Sequence, residues 1–216
     1  MVKIGEIMSP NEKKRAEEKI IEVAEEVFIK EGFNGTRMQS IADKAGLNKA
    51  LLHYYYRSKQ KLFYAVLKRL APNLFAPILG ILYEDLPFFE KIEKFIHCYI
   101  DEISKKNPHL PLFIISEMEK NADDIIEILV NAIDSREISP IDIFKEDVER
   151  EIKLGNIRQI DHKQLFVSML SMAIFPFVGR PLIMQLARFN EEEYKQFIVE
   201  RKAFIVEFVI NSIKIK

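Results

Sequence analysis

A chain of 216 residues that is 48% apolar carries enough hydrophobic side chain for a sizeable core, which excludes a disordered segment. Few Gly and Pro, and an absence of strand-like alternation, point to an all-α protein of one or two domains. The lone Cys98 excludes an intramolecular disulfide and suits a reducing cytoplasm, and the total charge of −1 hides a strong internal asymmetry.

Residues 1–19 lack the continuous apolar run of a signal peptide, and no stretch approaches ~18 uncharged apolar residues, so no membrane segment is expected. Ser9-Pro10-Asn11-Glu12 is a compact helix start, with Ser as N-cap, Pro first and Glu third. The helix should cover residues 10–31, with Ile20, Val23, Ala24, Val27 and Phe28 on one face. Gly32 stops it, and Phe33 folds back on it.

The next thirty residues carry the chemistry. A short helix over 37–44 is expected, with Thr36 as N-cap and Gln39 at capping-box spacing. Ala45-Gly46-Leu47 is a turn, because Gly46 takes a left-handed conformation without a Cβ penalty. Asn48 caps a second short helix, 49–56, and Ser58 caps a third from Lys59. Helix, tight Gly turn and helix make the helix-turn-helix spacing, in which the second helix enters the DNA major groove. From Phe33 to Leu70 there are eight Lys or Arg (Arg37, Lys44, Lys49, Arg57, Lys59, Lys61, Lys68, Arg69) against Asp43 alone, a net of +7. From Ala71 onward 18 basic and 24 acidic residues leave −6. A basic segment on a groove-reading motif is the electrostatic footprint of a DNA-binding module.

The third helix has the stripe Leu62, Phe63, Val66, Leu67 and Leu70, and Pro72 should end or kink it. A connecting segment, 73–83, is interrupted by Pro77 and Gly80. An amphipathic helix follows Pro87, with Phe88, Ile92, Phe95, Ile96, Tyr99 and Ile103 inward. Residues 107–111 read as a break, 112–120 as a short helix, and a further helix begins near Ala122 or Asp123. Ser139-Pro140 starts a helix that Gly155-Asn156 ends. Asp161 caps a long helix from His162 that passes Gly179–Pro181 toward Arg188, and Asn190 with Glu191, Glu192 and Glu193 starts a last one reaching Ile215. The apolar stripes of this pair look broader than one internal contact requires. A homodimer through residues 162–188 and 190–215 is therefore expected.

The segment from Ile20 to Leu67 resembles the N-terminal domain of the tetracycline-repressor (TetR) family. The resemblance rests on Phe28 to Gly32, Thr36, Ile41-Ala42, Ala45-Gly46-Leu47, Leu52 to Tyr56, and Lys59. It implies a helix-turn-helix domain over residues 1–70 and a helical effector-binding and dimerisation domain over 71–216. It also implies a dimeric regulator, most often a repressor, that binds a palindromic double-stranded operator and is released by a small molecule. His53 and Tyr56 stand where the family most often has Tyr and Phe, and Ala50-Leu51 replace a Gly and Thr-like pair.

Lys49, in the first turn of the reading helix, is expected to reach a phosphate or a guanine edge, the alternative being a solvated lysine. Leu52 and Tyr56 share one face and should be core, which turns His53, Tyr54 and Tyr55 outward. Arg37 and Gln39 sit beside the groove edge, and Thr36 and Lys59 match the family's phosphate-contact positions at helix N-termini. Phe95, Tyr99, Phe113, Met118, Phe144, Met169 and Phe177 are candidates to line a cavity for an apolar or amphipathic effector, with ordinary core packing the competing reading for each. His97-Cys98 has no second ligand at metal spacing, and no Gly-rich phosphate loop, nucleophile elbow or His-Glu-x-x-His is present, so no cofactor, metal or enzyme activity is expected. The rival reading is a helical protein-interaction adaptor that never touches DNA, and salt-dependent duplex binding separates the two.

Overall fold

The structure is a computed structural model that describes residues 9–106, 108, 110–118, 122–133 and 139–215. Eleven helices are described: α1 (Pro10–Gly35), α2 (Met38–Ala45), α3 (Lys49–Tyr55), α4 (Lys59–Gly80), α5 (Phe88–Lys106), α6 (Leu110–Met118), α7 (Ala122–Ile133), α8 (Pro140–Lys153), α9 (His162–Val178), α10 (Arg180–Ala187) and α11 (Glu191–Ile213). A 3-10 turn, Ile81–Tyr83, follows α4. Among the described residues there is no strand, only an isolated antiparallel bridge between Ile157 and Lys214. The all-α architecture expected from composition is therefore the one observed.

Several helix starts follow from local chemistry. Ser9 accepts from the Glu12 N–H while the Glu12 carboxylate accepts from the Ser9 N–H, a complete capping box. Asn190 and Glu193 form the same box at α11, Ser139 caps α8, and Asp161 caps α9. Gly32, at φ 70°, breaks the helical path of α1 before its last turn.

Of the end or kink expected at Pro72, the end is not found, and Pro77 does not interrupt the helix either. α4 runs through both, because Leu67, Ala71, Leu74 and Ile78 are buried on either side and hold the helix against the ~3 kcal/mol a proline costs it. Together with the 3-10 turn it makes a 25-residue segment, Lys59–Tyr83, with the length and hydropathy of a membrane span. One face of it is buried, through Leu62, Phe63, Val66, Leu67, Ala71, Leu74 and Ile78. α6 begins at Leu110, two residues earlier than expected, because Pro111 fits the first turn of a helix. Asn107 and His109, at the expected break, lie outside the described residues.

The chain divides into two compact units: Met1–Pro72 with Phe113–Val130, and Asn73–Leu112 with Asn131–Lys216. In the first, Phe28, Phe33 and Phe63 form an aromatic cluster with ring centres 5.1–6.1 Å apart, and Phe113 packs edge-on to Phe63 at 5.5 Å. The Tyr64 hydroxyl donates to Asp124 and fastens the later segment to α4.

In the second unit, Phe88, Ile92, Phe95, Ile96, Tyr99 and Ile103 are all buried, as the α5 pattern predicts. Phe95 and Phe144 each stand 5.6 Å from Phe166. A buried ion pair, Lys91 to Asp147 at 2.5 Å, ties α5 to α8, and Lys91 also donates to the Leu82 carbonyl. α9 bends by 76° into α10. Gly179 lies at this elbow, where a Cβ would come within 2.9 Å of the Phe175 ring, and the Tyr194 hydroxyl donates to the Pro176 carbonyl at 2.8 Å. α10 buries none of its residues.

Candidate nucleic-acid interface

The interface is built on α2, α3 and the turn between them. Gly46, at φ 66° and ψ 32°, closes α2. Its N–H donates to the Asp43 carbonyl, and the Leu47 N–H donates to the Ala42 carbonyl at 2.9 Å. That pair of bonds is a Schellman closure, and it requires a residue that tolerates the left-handed region. The Asn48 side chain then accepts from the Leu51 N–H at 2.7 Å and starts α3. Ile41, Ala42 and Ala45 anchor α2, and Leu51, Leu52 and Tyr56 anchor α3 and its end.

With those side chains inward, the outer face of α3 carries Lys49, Ala50, His53 and Tyr54, all exposed. They form two i, i+4 pairs, Lys49 with His53 and Ala50 with Tyr54. Tyr54 is 57% exposed, an uncommon setting for an aromatic side chain. Arg37 and Gln39 are also exposed at the start of α2, where Gln39 donates to Asp43 at 2.7 Å. Lys44 is committed to Glu26 at 2.7 Å, while Arg57 and Lys61 point to solvent.

Three of the expected contact residues take other roles. Thr36 is 1% exposed and does not cap α2; its hydroxyl donates to the Gly32 carbonyl at 2.7 Å. The same carbonyl accepts from the Thr36 N–H at 3.3 Å, so Thr36 closes α1 with both its backbone and its side chain. The N-cap position falls to Arg37, which makes no capping bond, and α2 starts at Met38. Lys59 turns inward as well. Its ammonium donates to the Phe33 carbonyl at 2.8 Å and the Thr36 carbonyl at 3.0 Å, and it lies 4.5 Å from the centre of the Phe33 ring. Tyr55 is half-buried and donates to the Lys13 carbonyl at 3.2 Å, with its ring edge-on to Tyr54. Burial raises the pKa of Tyr55, with Tyr54 and Glu17 adding to it, so the hydroxyl stays a donor. Tyr56 is buried against Glu17 and is pushed well above the ordinary tyrosine range by burial and that carboxylate.

Ala50, a departure from the family pattern but not among the expected contact residues, belongs to the exposed face. The available signal was its i, i+4 relation to Tyr54. Leu51, the other member of the pair that departs from the family pattern, is core.

Against known proteins, residues 20–66 match the family described as bacterial regulatory proteins, tetR family. The transcriptional regulator RutR of Escherichia coli O157:H7 is 30% identical over 146 residues, 68% of this chain and 66% of RutR. The chain belongs to the tetR family. The match therefore spans about two thirds of RutR's length. The repressor NicS of Pseudomonas putida is 41% identical over 56 residues, 26% of each chain. Among solved structures, the ketosteroid regulator KstR2 of Mycobacterium tuberculosis superimposes with a TM-score of 0.66 at 15% identity, over 93% of this chain and 95% of its own. FadR from Bacillus subtilis in complex with stearoyl-CoA superimposes with a TM-score of 0.62 at 16% identity, over 89% and 97%. At such identities these likenesses show the fold. The helix-turn-helix followed by a helical unit is thus the tetR-family arrangement.

The expected effector-lining residues are distributed differently from expectation. Phe95, Tyr99, Phe144, Met169 and Phe177 are buried in the second unit. Phe95, Tyr99 and Phe144 are linked through ring contacts and read as close-packed core. Phe113 and Met118 fall in the first unit, Phe113 against Phe63, and so are not part of that core. Phe177 also lines a cavity, described below. Among the described residues no cluster of three metal-ligating side chains occurs.

Proposed function

We propose that the chain is a DNA-binding transcriptional regulator of the ligand-responsive repressor kind, working in the cytoplasm as a homodimer on a palindromic operator. The observation that carries this is the outer face of α3. It presents Lys49, His53 and Tyr54 on a helix whose opposite face is locked into the core, within a segment of net +7. In this reading Lys49 contacts phosphate or guanine, Tyr54 lays its ring against a thymine methyl or sugar, and His53 faces a base edge. Arg37 and Gln39 flank the groove, and Thr36, Tyr55 and Lys59 hold the head in shape without touching DNA. Residues 1–70 are the DNA-binding part and 71–216 the effector-binding and dimerisation part.

Two heads are needed because half-sites on a palindrome lie about one helical turn apart. The second unit offers a matching surface. On α9, Val167, Ser171 and Phe175 line up at four-residue spacing and face solvent; on α11, Phe204 and Phe208 do so, both 55% exposed with stacked rings. An apolar stripe on two neighbouring helices fits a four-helix interface with its copy. No step in this reading is catalytic.

The test is duplex DNA binding by the full chain across a salt series. Affinity should fall steeply as salt rises, and Lys49→Ala should flatten the log–log slope by about 0.9, one phosphate contact. A chain that binds no duplex at low salt is an interaction adaptor instead.

A further inference from the structure

At the elbow between α9 and α10 the second unit leaves a cavity of about 480 Å³. This is within the roughly 300–1,000 Å³ of small-molecule sites. Its floor is Phe177, Tyr194 and Ile198, all buried, with Val199 exposed at its side. Arg180, Lys195 and Lys202 stand around it, with Asp101 and Glu191 as the acids of the same lining. Lys195 pairs with Glu192 at 2.7 Å, so each of the three cations is matched by a carboxylate.

The exposure of the paired groups is uneven. Lys202 bonds Asp101 at 2.8 Å, and Arg180 pairs with Glu191 while lying 5.0 Å from the centre of the Tyr194 ring. In each pair the cation is the more sheltered partner: Lys202 and Arg180 keep 24% and 28% of their side-chain surface, Asp101 and Glu191 keep 36% and 64%. A carboxylate entering the cavity therefore meets half-sheltered cations whose present partners are solvated carboxylates able to swing away. Exchange of one carboxylate for another keeps a charge-assisted bond at Arg180 and at Lys202.

We propose that this cavity binds an amphipathic monocarboxylate, with its head group between Arg180 and Lys202 and its tail on Phe177, Tyr194, Ile198 and Val199. The inference rests on the reading of residues 71–216 as the effector-binding part and gives that effector a chemical class. It also accounts for Gly179 and the Tyr194–Pro176 bond, which together hold the elbow that opens the cavity.

The test is calorimetric titration of the full chain with octanoate and with octanol, beside duplex DNA binding by the same preparation. Octanoate should bind once per chain, and octanol at least tenfold more weakly. Lys202→Met should weaken octanoate at least tenfold. Val199→Glu, at an exposed position that does not threaten folding, should do the same by setting a fixed carboxylate in the cavity. Circular dichroism of both variants should match the parent. Octanol binding as tightly as octanoate, variants binding like the parent, or no octanoate binding at millimolar concentration each overturn the proposal. If octanoate fails while salt-dependent DNA binding persists, the cavity assignment falls and the regulator reading stands. If octanoate binds as described and DNA does not, the cavity assignment stands alone.

Discussion

Replacing Lys59 by Met tests whether this lysine holds the head together or touches DNA. In the structure its ammonium serves two carbonyls, of Phe33 at 2.8 Å and of Thr36 at 3.0 Å, and sits 4.5 Å from the centre of the Phe33 ring. A charge-assisted hydrogen bond contributes about 1.5–3 kcal/mol, and a partly exposed cation–π contact about 0.5–1 kcal/mol. One ammonium makes all three, so they do not add in full, and methionine keeps the aliphatic stem. The expected loss is about 2–4 kcal/mol. For a chain of this size that lowers the melting midpoint by roughly 4–16 °C, at about 2–4 °C per kcal/mol. Thermal and urea unfolding read the loss directly. The salt dependence of DNA binding, measured where the variant is folded, should keep its slope, because no phosphate contact has gone. A variant as stable as the parent to within ~0.5 kcal/mol, with a slope shallower by about 0.9, would refute the reasoning and return Lys59 to the phosphate role that the family resemblance implies.

Three further outcomes follow from the second unit. Asp147→Ala should destabilise by about 3–5 kcal/mol in urea titration, since it strands the buried Lys91 ammonium now 2.5 Å from Asp147. Burial pushes Tyr99 up to about 12 from 10, so the folded state holds that proton more tightly than the unfolded chain does. This stabilisation is complete below pH 10 and lost between pH 10 and 12, on the order of 2–3 kcal/mol; Tyr99→Phe should lessen the alkaline fall in stability by that part. Replacing Phe204 and Phe208 together by Glu, both exposed in one chain, should leave the helical content intact and give a monomer by sedimentation at micromolar concentration. A stable dimer of that variant moves the interface elsewhere.

Where a structural feature depends on neighbours a few residues apart, the sequence shows it plainly. Ser9 with Glu12, Asn190 with Glu193, Asn48 with Leu51 and the glycine at 46 are all local bonds or local conformations, and each helix start or stop they imply is present. The start of α2 was misread because two local patterns competed. Thr36 has capping-box spacing toward Gln39, but it also stands four residues after Gly32, at the end of α1, and the Gly32 carbonyl takes both its N–H and its hydroxyl. α4 was misread for a different reason. Proline's cost to a helix is intrinsic to residues 72 and 77, whereas the burial of Leu67, Leu74 and Ile78 that offsets it comes from elsewhere in the fold. The Lys59 clamp and the elbow cavity join residues 23 to 101 positions apart, beyond any local pattern.

The same distinction between local and distant bonds bears on what α3 reads. The helix is short, so once Leu51, Leu52 and Tyr56 are buried only one face remains. Four departures from the usual family pattern lie here: Ala50, Leu51, His53 and Tyr56. Leu51 and Tyr56 are core, and their differences are matters of packing, with Tyr56 gaining a bond to Glu17 at 3.3 Å. Ala50 and His53 are the two that reach the outer face. In the proposed reading, where Lys49 supplies affinity and Tyr54 an apolar contact, operator preference particular to this chain should therefore reside at these two positions. A methyl group at Ala50 leaves room for the neighbouring Tyr54 ring to approach a thymine methyl, and the His53 imidazole offers its ring nitrogens to a base edge. Selection of operators by the parent and by His53→Tyr should then differ at one base pair per half-site, whereas Tyr56→Phe, which touches only the core, should select the parent's operator unchanged.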